Sequence, residues 1–230
     1  MHASADAPPA SVRRFARSAP VSHVVQHMTR PGVGAVVTWL RGDGEERYAV
    51  ASGHRAEAFA VAEKTASEED DRLGTPLLHS GTPFVKLVHG ALDLSTYDAF
   101  TSAQVTFTGI ARADRMPDGT TVQALEYEAY ADMAAPMLQA LARRHRAAAV
   151  VHSGAGVVPA GSASVHIAAP TVLTTHRIID QLKQTVPIWK QDVVVASAQN
   201  GTADVLPAVN HRSAAVSMPP TTSTTPHHTR

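Results

Sequence analysis

Lys183-Gln184-Thr185-Val186-Pro187-Ile188-Trp189-Lys190 marks the end of one helix and the start of an extended segment. Upstream of it, Val172, Thr175, Ile179, Leu182 and Val186 recur at a helical period. Pro187 has no N–H to donate and disfavours helix at the residue before it, so the helix should stop near Val186. Lys183 then lies on the last helical turn. Lys190 follows on the extended stretch, with Ile188 and Trp189 as apolar anchors between the two lysines. Ammonium groups so placed can be aimed at one anionic pocket; equally, lysines at a solvated helix end suit the C-terminal dipole.

Moving outward, the segments before this helix alternate between strand and helix patterns. Gln104 to Arg112 and Val122 to Tyr130 are β-rich runs separated by Met116-Pro117-Asp118-Gly119, whose Asp-Gly is a hairpin signal. Asp132 to Arg146 reads as a helix with Met133, Met137, Leu138 and Leu141 on one face. Ala147 to His152 and Ser164 to Ala168 read as strands joined by a Gly/Pro-rich turn around Gly154 to Gly161. Pro170 can begin the helix that ends near Lys183. Strand, hairpin, helix, strands and helix predict an α+β domain with antiparallel strands.

Composition sets bounds on function. The 230 residues are 44% hydrophobic and 17% charged with zero formal net charge, enough for a soluble globular core and no electrostatic footprint for nucleic acid. No apolar run reaches the length of a membrane span. The chain has no cysteine, which excludes disulfides, thiolate metal sites and a cysteine nucleophile. Any sulfur in the chemistry must therefore be brought by a partner.

The ends read as tails. Residues 1–20 hold Arg13, Arg14 and Arg17 among Ala, Ser and Pro with the single acid Asp6, a disordered or targeting segment. Residues 199–230 finish in the Pro/Thr/His run from Met218 to Arg230, which cannot bury apolar area and is expected to be disordered.

Three blocks in register resemble the large, catalytic subunit of molybdopterin synthase. The first is the Lys183–Lys190 stretch, similar to that family's active-site signature. The second, Ala103 to Arg112, holds Phe107-Thr108-Gly109 followed three positions later by Arg112. The third, Ala124-Leu125-Glu126-Tyr127-Glu128-Ala129-Tyr130, resembles the strand after it. The resemblance covers about residues 90 to 195 and assigns residues 90–198 to a synthase-like domain, for which it implies an α/β hammerhead-like fold.

Two family motifs are altered. Where the family has Ser-Ala-His-Arg before the lysine-bearing helix, this chain has Ala168-Ala169-Pro170-Thr171, and the family's His-Arg-x-Gly is reduced to His152-Ser153-Gly154-Ala155. Far upstream, Ala51-Ser52-Gly53-His54-Arg55-Ala56-Glu57-Ala58-Phe59 carries a good version of the missing motif after a plausible strand, Arg47 to Ala51. Thr82-Pro83-Phe84-Val85-Lys86 faintly echoes the segment ending at Lys190. Residues 21–89 thus read as a degenerate half-repeat of the family's second half. In the family each site takes lysines from one protomer and His-Arg from the other, so His54 and Arg55 are expected to complete the pocket of Arg112, Lys183 and Lys190, in cis or across a dimer.

The resemblance implies conversion of cyclic pyranopterin monophosphate to the dithiolene molybdopterin. Sulfur would come from the C-terminal thiocarboxylate of a small ubiquitin-like subunit, with a homodimer of this chain as the core of a heterotetramer. Arg112 and Arg55 are the phosphate candidates, since a planar guanidinium fork suits phosphate. Lys183 and Lys190 are the catalytic candidates: neighbouring cations and burial depress a lysine's pKa towards neutrality, as acid/base work requires. Lys190 would hold the partner's carboxyl or a developing oxyanion. His54 shapes the pocket or shuttles protons; Phe107, Gly109 and Trp189 complete the substrate-binding set, although core packing also accounts for both aromatics. No cofactor is implied, and the address is cytoplasmic, with the basic start leaving mitochondria open.

Other residues carry weaker signals. Glu126 and Glu128 share a strand face, as paired carboxylates or solvated residues. The 13 histidines form no compact ligand pattern, so no metal site is assigned, and Gly154-Ala155-Gly156 lacks the third glycine of a dinucleotide loop. Two further readings stay open: a non-catalytic paralogue that docks the ubiquitin-like partner, and an unrelated activity on residues 1–90.

Overall fold

Strands whose residues are buried on both faces must be covered on both sides. Such strands dominate the centre of this protein. The computed structural model describes residues 8–40, 46–69, 81–100, 105–195 and 205–207. In chain order the elements are β1 (Ser11–Ala16), α1 (Val21–Met28), β2 (Ala35–Leu40), β3 (Glu46–Ser52), α2 (Arg55–Glu69), β4 (Phe84–His89) and a 3₁₀ turn (Leu94–Phe100). Then follow β5 (Val105–Ile110), β6 (Thr121–Ala129), α3 (Ala131–Arg144), β7 (Ala149–Pro159), β8 (Ala163–Ala169), α4 (Val172–Thr185), β9 (Ile188–Val195) and β10 (Val205–Pro207). They form one sheet in the order β1-β3-β2-β5-β8-β7-β6-β9-β10, antiparallel except where β4 pairs parallel with β7. The α+β class and the antiparallel arrangement are as expected.

Helices α2, α3 and α4 cover one face, around Val37, Trp39, Val50, Phe59, Phe107 and Ile167. Helix α1 and the 3₁₀ turn cover the other, around Val24, Val36, Ala51, Tyr97 and Ile110. The stripe of α4 is buried at Val172, Thr175, Ile179 and Leu182, and Val186 is the C-cap, its N–H donating to the Leu182 carbonyl. Thr171, not Pro170, caps the start of this helix: its side chain accepts from the Thr174 N–H at 3.0 Å. In α3 the buried residues are Ala134, Leu138 and Ala142, while Met133 stays 48% exposed. Leu138 is on the buried side as expected, Met137 and Leu141 pack partly buried against the core, and Met133 alone of the expected face is exposed.

Four expectations are corrected. Residues 105–110 and 121–129 do not form a hairpin: β5 lies between β2 and β8, and β6 between β7 and β9. The Asp118-Gly119 turn is present, with Gly119 at φ 85°, but closes only an isolated bridge from Arg115 to Thr121. The Gly154–Gly161 turn shrinks to its last residues, because Gly154 and Gly156 lie inside β7. There the strand exchanges β8 for β6 as a neighbour. Gly156 has φ 78°, and a Cβ on it would come within 2.5 Å of the His89 ring, so the bare backbone seats that side chain.

The third correction concerns the N-terminal tail, where residues 11–16 pair with β3 and cover its edge, which would otherwise present unpaired backbone groups. Residues 1–7 lie outside the described residues. At the other end, residues 205–207 pair with β9, and the remainder of 199–230 lies outside the described residues. Finally, Phe84–His89 runs parallel to β7, whereas Ile188–Val195 runs antiparallel to β6, so the echo between these segments is not an echo of position.

Candidate functional site

Lys183 reaches the end of α4 because Pro187 stops the helix one turn later. Lys190 sits on β9 opposite Tyr127 of β6. Strand alternation then turns Trp189, which pairs with Glu128, to the opposite face of the sheet. Trp189 is 39% exposed there and does not share the side of Lys190.

The upstream segment comes to the same place. Arg55, at the first turn of α2, donates to and pairs with Asp180 of α4. Arg112 leaves the end of β5 and crosses to the loop before α2, where Nη1 donates to the Gly53 carbonyl at 2.5 Å and lies 3.4 Å from His54 Nδ1. Its Nη2 donates to Asp114 at 2.7 Å. Gly34 makes this crossing possible: a Cβ there would sit 2.6 Å from Arg112 Cδ and 2.7 Å from the Gly53 carbonyl oxygen. The loop itself is held by Ser52, which accepts from the His54 N–H at 3.1 Å and donates to Glu57. That bond, the largest cause, and the N–H of Ala10 hold the Glu57 carboxyl below its ordinary range.

These cations act on Lys183. The Lys183 ammonium is lowered to about 8, by burial first, then by Arg55, Lys190 and Arg112, against the opposing pull of Asp180. Solvent still reaches the Lys183 side chain. Water access moderates the burial and the charge contributions alike, and both act in the same direction. A lysine held this way has a substantial neutral fraction near pH 8 and can take or give a proton.

Phe107 is 2% exposed and stacks on Phe59 with ring centroids 5.3 Å apart, and Phe59 stacks in turn on His176 at 4.2 Å. It supports the helix pair from below and is not on the pocket surface. Gly109 lies under β8, where a Cβ would meet Val165 at 2.6 Å. The structure therefore brings together Lys183, Lys190, Arg112, His54 and Arg55, with Phe107 and Gly109 beneath and Trp189 on the outer face.

Two residues at the site were not chosen from the sequence. His152 is buried, with Nδ1 2.7 Å from the Ser153 carbonyl and its ring edge-on to Tyr127 at 5.5 Å. Burial above all, and Lys183 to a lesser extent, push His152 down to about 4, so it is neutral at pH 7. Burial raises the Tyr127 phenol above its usual value. Together they form a neutral polar floor near the lysines. The residual His of the degraded His-Arg-x-Gly segment was the available signal. Among the described residues no cluster of His, Asp and Glu is arranged to hold a metal ion.

The family model described as MoaE protein matches residues 86–185. The molybdopterin synthase catalytic subunit of Oryza sativa subsp. indica is 38% identical over 148 residues, covering 56% of this chain and 69% of that protein. The chain belongs to the molybdopterin synthase catalytic-subunit family. The family's catalytic subunit from Thermoplasma volcanium is also 38% identical, over 107 residues, covering 40% of this chain and 74% of that protein. Among solved structures, molybdopterin synthase from Staphylococcus aureus aligns with a TM-score of 0.38 and 22% identity over 55% of this chain and 98% of that one. Family membership accounts for β4 to α4. Residues 8–69, which supply His54 and Arg55, precede the family match. Among the described residues no helix is long and apolar enough to cross a membrane.

Proposed function

We infer that the chain is the catalytic subunit of molybdopterin synthase. In this reading it moves sulfur from the thiocarboxylated C-terminus of a small ubiquitin-like partner to cyclic pyranopterin monophosphate, forming the dithiolene of molybdopterin, and it works in the cytoplasm. The observation that carries this reading is the lowered Lys183, held among Arg55, Lys190 and Arg112. The substrate and the partner's terminus are both anionic, so a site for them needs converging cations and a base. Arg112 and Arg55 keep donors beyond those used on Gly53, Asp114 and Asp180, and a planar fork suits the substrate phosphate. Lys183 takes the acid/base role. Lys190 holds the partner's carboxyl, or the oxyanion that forms as sulfur leaves the acyl carbon. His54 shapes the phosphate side of the pocket, with Gly109 and Phe107 as its support, and Trp189 offers an outer contact for the partner.

The test is conversion of cyclic pyranopterin monophosphate to molybdopterin by the purified chain with a thiocarboxylated small subunit. Product from the wild type and its collapse in Lys183→Ala support the reading. No product from a wild-type chain that still forms a stable complex with the small subunit would overturn it.

A further inference from the structure

The central four strands, β3-β2-β5-β8, are antiparallel and share a symmetric register. Thr38 of β2 lies directly opposite Thr106 of β5, and their hydroxyls hydrogen-bond at 2.8 Å. On either side of this pair, Val37 faces Phe107 and Trp39 faces Val105. The two strands read Ala35-Val36-Val37-Thr38-Trp39 and Ala103-Gln104-Val105-Thr106-Phe107, so each aromatic meets the other strand's valine. That is the register a twofold axis through the threonine pair produces.

The flanking elements obey the same axis. Thr38 pairs outward with Ala49 of β3, and Thr106 pairs outward with Ala168 of β8. At the end of β3 and just past the end of β8 a hydroxyl accepts a backbone N–H of the following turn: Ser52 from His54, Thr171 from Thr174. Each is followed by a helix on the same face, and the helices run antiparallel, Arg55 meeting Asp180 while Phe59 meets His176. The symmetry fails at the His-Arg pair. In this register Ser52 matches Thr171, so His54 and Arg55 match Leu173 and Thr174. Lys183 on α4 matches Lys64 on α2, which is exposed and pairs with Glu68.

We propose that the chain is a single-chain pseudo-dimer: residues 35–69 stand where a second copy of β5, β8 and α4 would stand, completing one cation pocket within the chain and leaving its symmetry mate without the His-Arg pair. The axis is independent of the chemistry assigned above, whereas the count of one working pocket per chain rests on that reading.

Because the chain lacks cysteine, Thr38→Cys with Thr106→Cys tests the axis directly, directly opposed strand residues being within disulfide reach. Oxidation should consume both thiols and leave a non-reduced species at the single-chain mass of 24.3 kDa, while Thr38→Cys alone stays uncross-linked. A covalent dimer, or thiols that remain free under oxidation, would overturn the proposal. Val36→Cys with Thr108→Cys reports the same register if the threonine pair does not tolerate replacement. Mixing Arg55→Ala with Lys183→Ala gives the second readout. A pocket built within one chain yields no activity beyond that of the separate variants, whereas one shared between chains recovers about a quarter of wild-type turnover, from statistical pairing of protomers. If the wild type itself makes no product, the enzymatic reading falls, and the cross-link still decides the axis.

Discussion

Arg55 pairs with Asp180, three residues before Lys183 on α4, so a residue from the upstream segment sets the electrostatics at the C-terminal end of that helix. The pair has two effects on the lysine. Arg55 repels its proton, and by engaging Asp180 it blunts the carboxylate that would attract it.

Removing Arg55 therefore changes Lys183 in one direction. In Arg55→Ala both effects raise the Lys183 pKa from about 8 towards its ordinary value of 10.5. If the neutral amine is the active form, wild-type kcat/KM rises with pH through about 8, and the variant's rise moves to higher pH. A pH–rate profile of both proteins checks this; superimposable profiles would separate Arg55 from the lysine.

Replacing Lys183 itself should be far more damaging. Lys183→Ala is expected to lower kcat by about 10²–10⁴-fold, the usual contribution of a positioned acid/base group. Lys190→Ala should weaken the hold on the partner's terminus as well, visible as a higher KM for the thiocarboxylated subunit. Steady-state kinetics with varied partner concentration distinguishes the two.

Gly34→Ala tests the crossing of Arg112. A methyl group 2.6 Å from Arg112 Cδ and 2.7 Å from the Gly53 carbonyl must displace a side chain and a backbone. Overpacking of this kind costs about 1–3 kcal/mol, and activity should fall because the loop carrying His54 moves. Urea unfolding and turnover should both register the change; an unchanged midpoint would mean the loop gives way freely.

Phe59→Ala removes a wholly buried ring that stacks on both Phe107 and His176. A loss of about 3–5 kcal/mol is expected, typical of an aromatic deletion in a packed core. Chemical denaturation measures it. A cost below ~1 kcal/mol would show that α2 does not rely on this contact.

Acid should destabilise the protein through two histidines. Burial, first among the causes, pushes His152 and His166 down from 6.5 to about 4 in the folded state. Between those values the unfolded chain binds protons that the folded one refuses, so stability is complete above about pH 6.5 and declines as pH falls towards 4. Each contributes on the order of 3 kcal/mol at full effect. Denaturation at pH 7 and pH 5 should show the loss, and His152→Asn should remove part of it. Equal stability at both pH values would contradict the buried neutral state.

What was legible in the sequence was local. Pro187 ends α4 through its own missing N–H, and the spacing of Val172, Thr175, Ile179 and Leu182 marks the buried stripe without reference to any other segment. Strand neighbours were not legible, because the edges of β5 and β6 are occupied by strands from distant parts of the chain, and an Asp-Gly turn says nothing about those competitors. The cations of the site were found as residue types in motifs. That Arg112 would touch His54 and Gly53, more than fifty positions away, depended on β2 pairing with β5. Phe107 was weighed both as a substrate contact and as packing; which face of β5 the helices cover decides its place. His152 was overlooked because its motif had lost the arginine beside it.

The pairing of β2 with β5 inside one polypeptide also changes how this protein can evolve. In a symmetric homodimer every substitution is made twice, once on each side of the axis, and a change that improves one half-site must be tolerated in the other. Here Thr38 and Thr106 are separate codons. The residues around each can drift, specialise or be lost independently, and the contrast between Gly53-His54-Arg55 and Val172-Leu173-Thr174 has the form that such independence leaves behind.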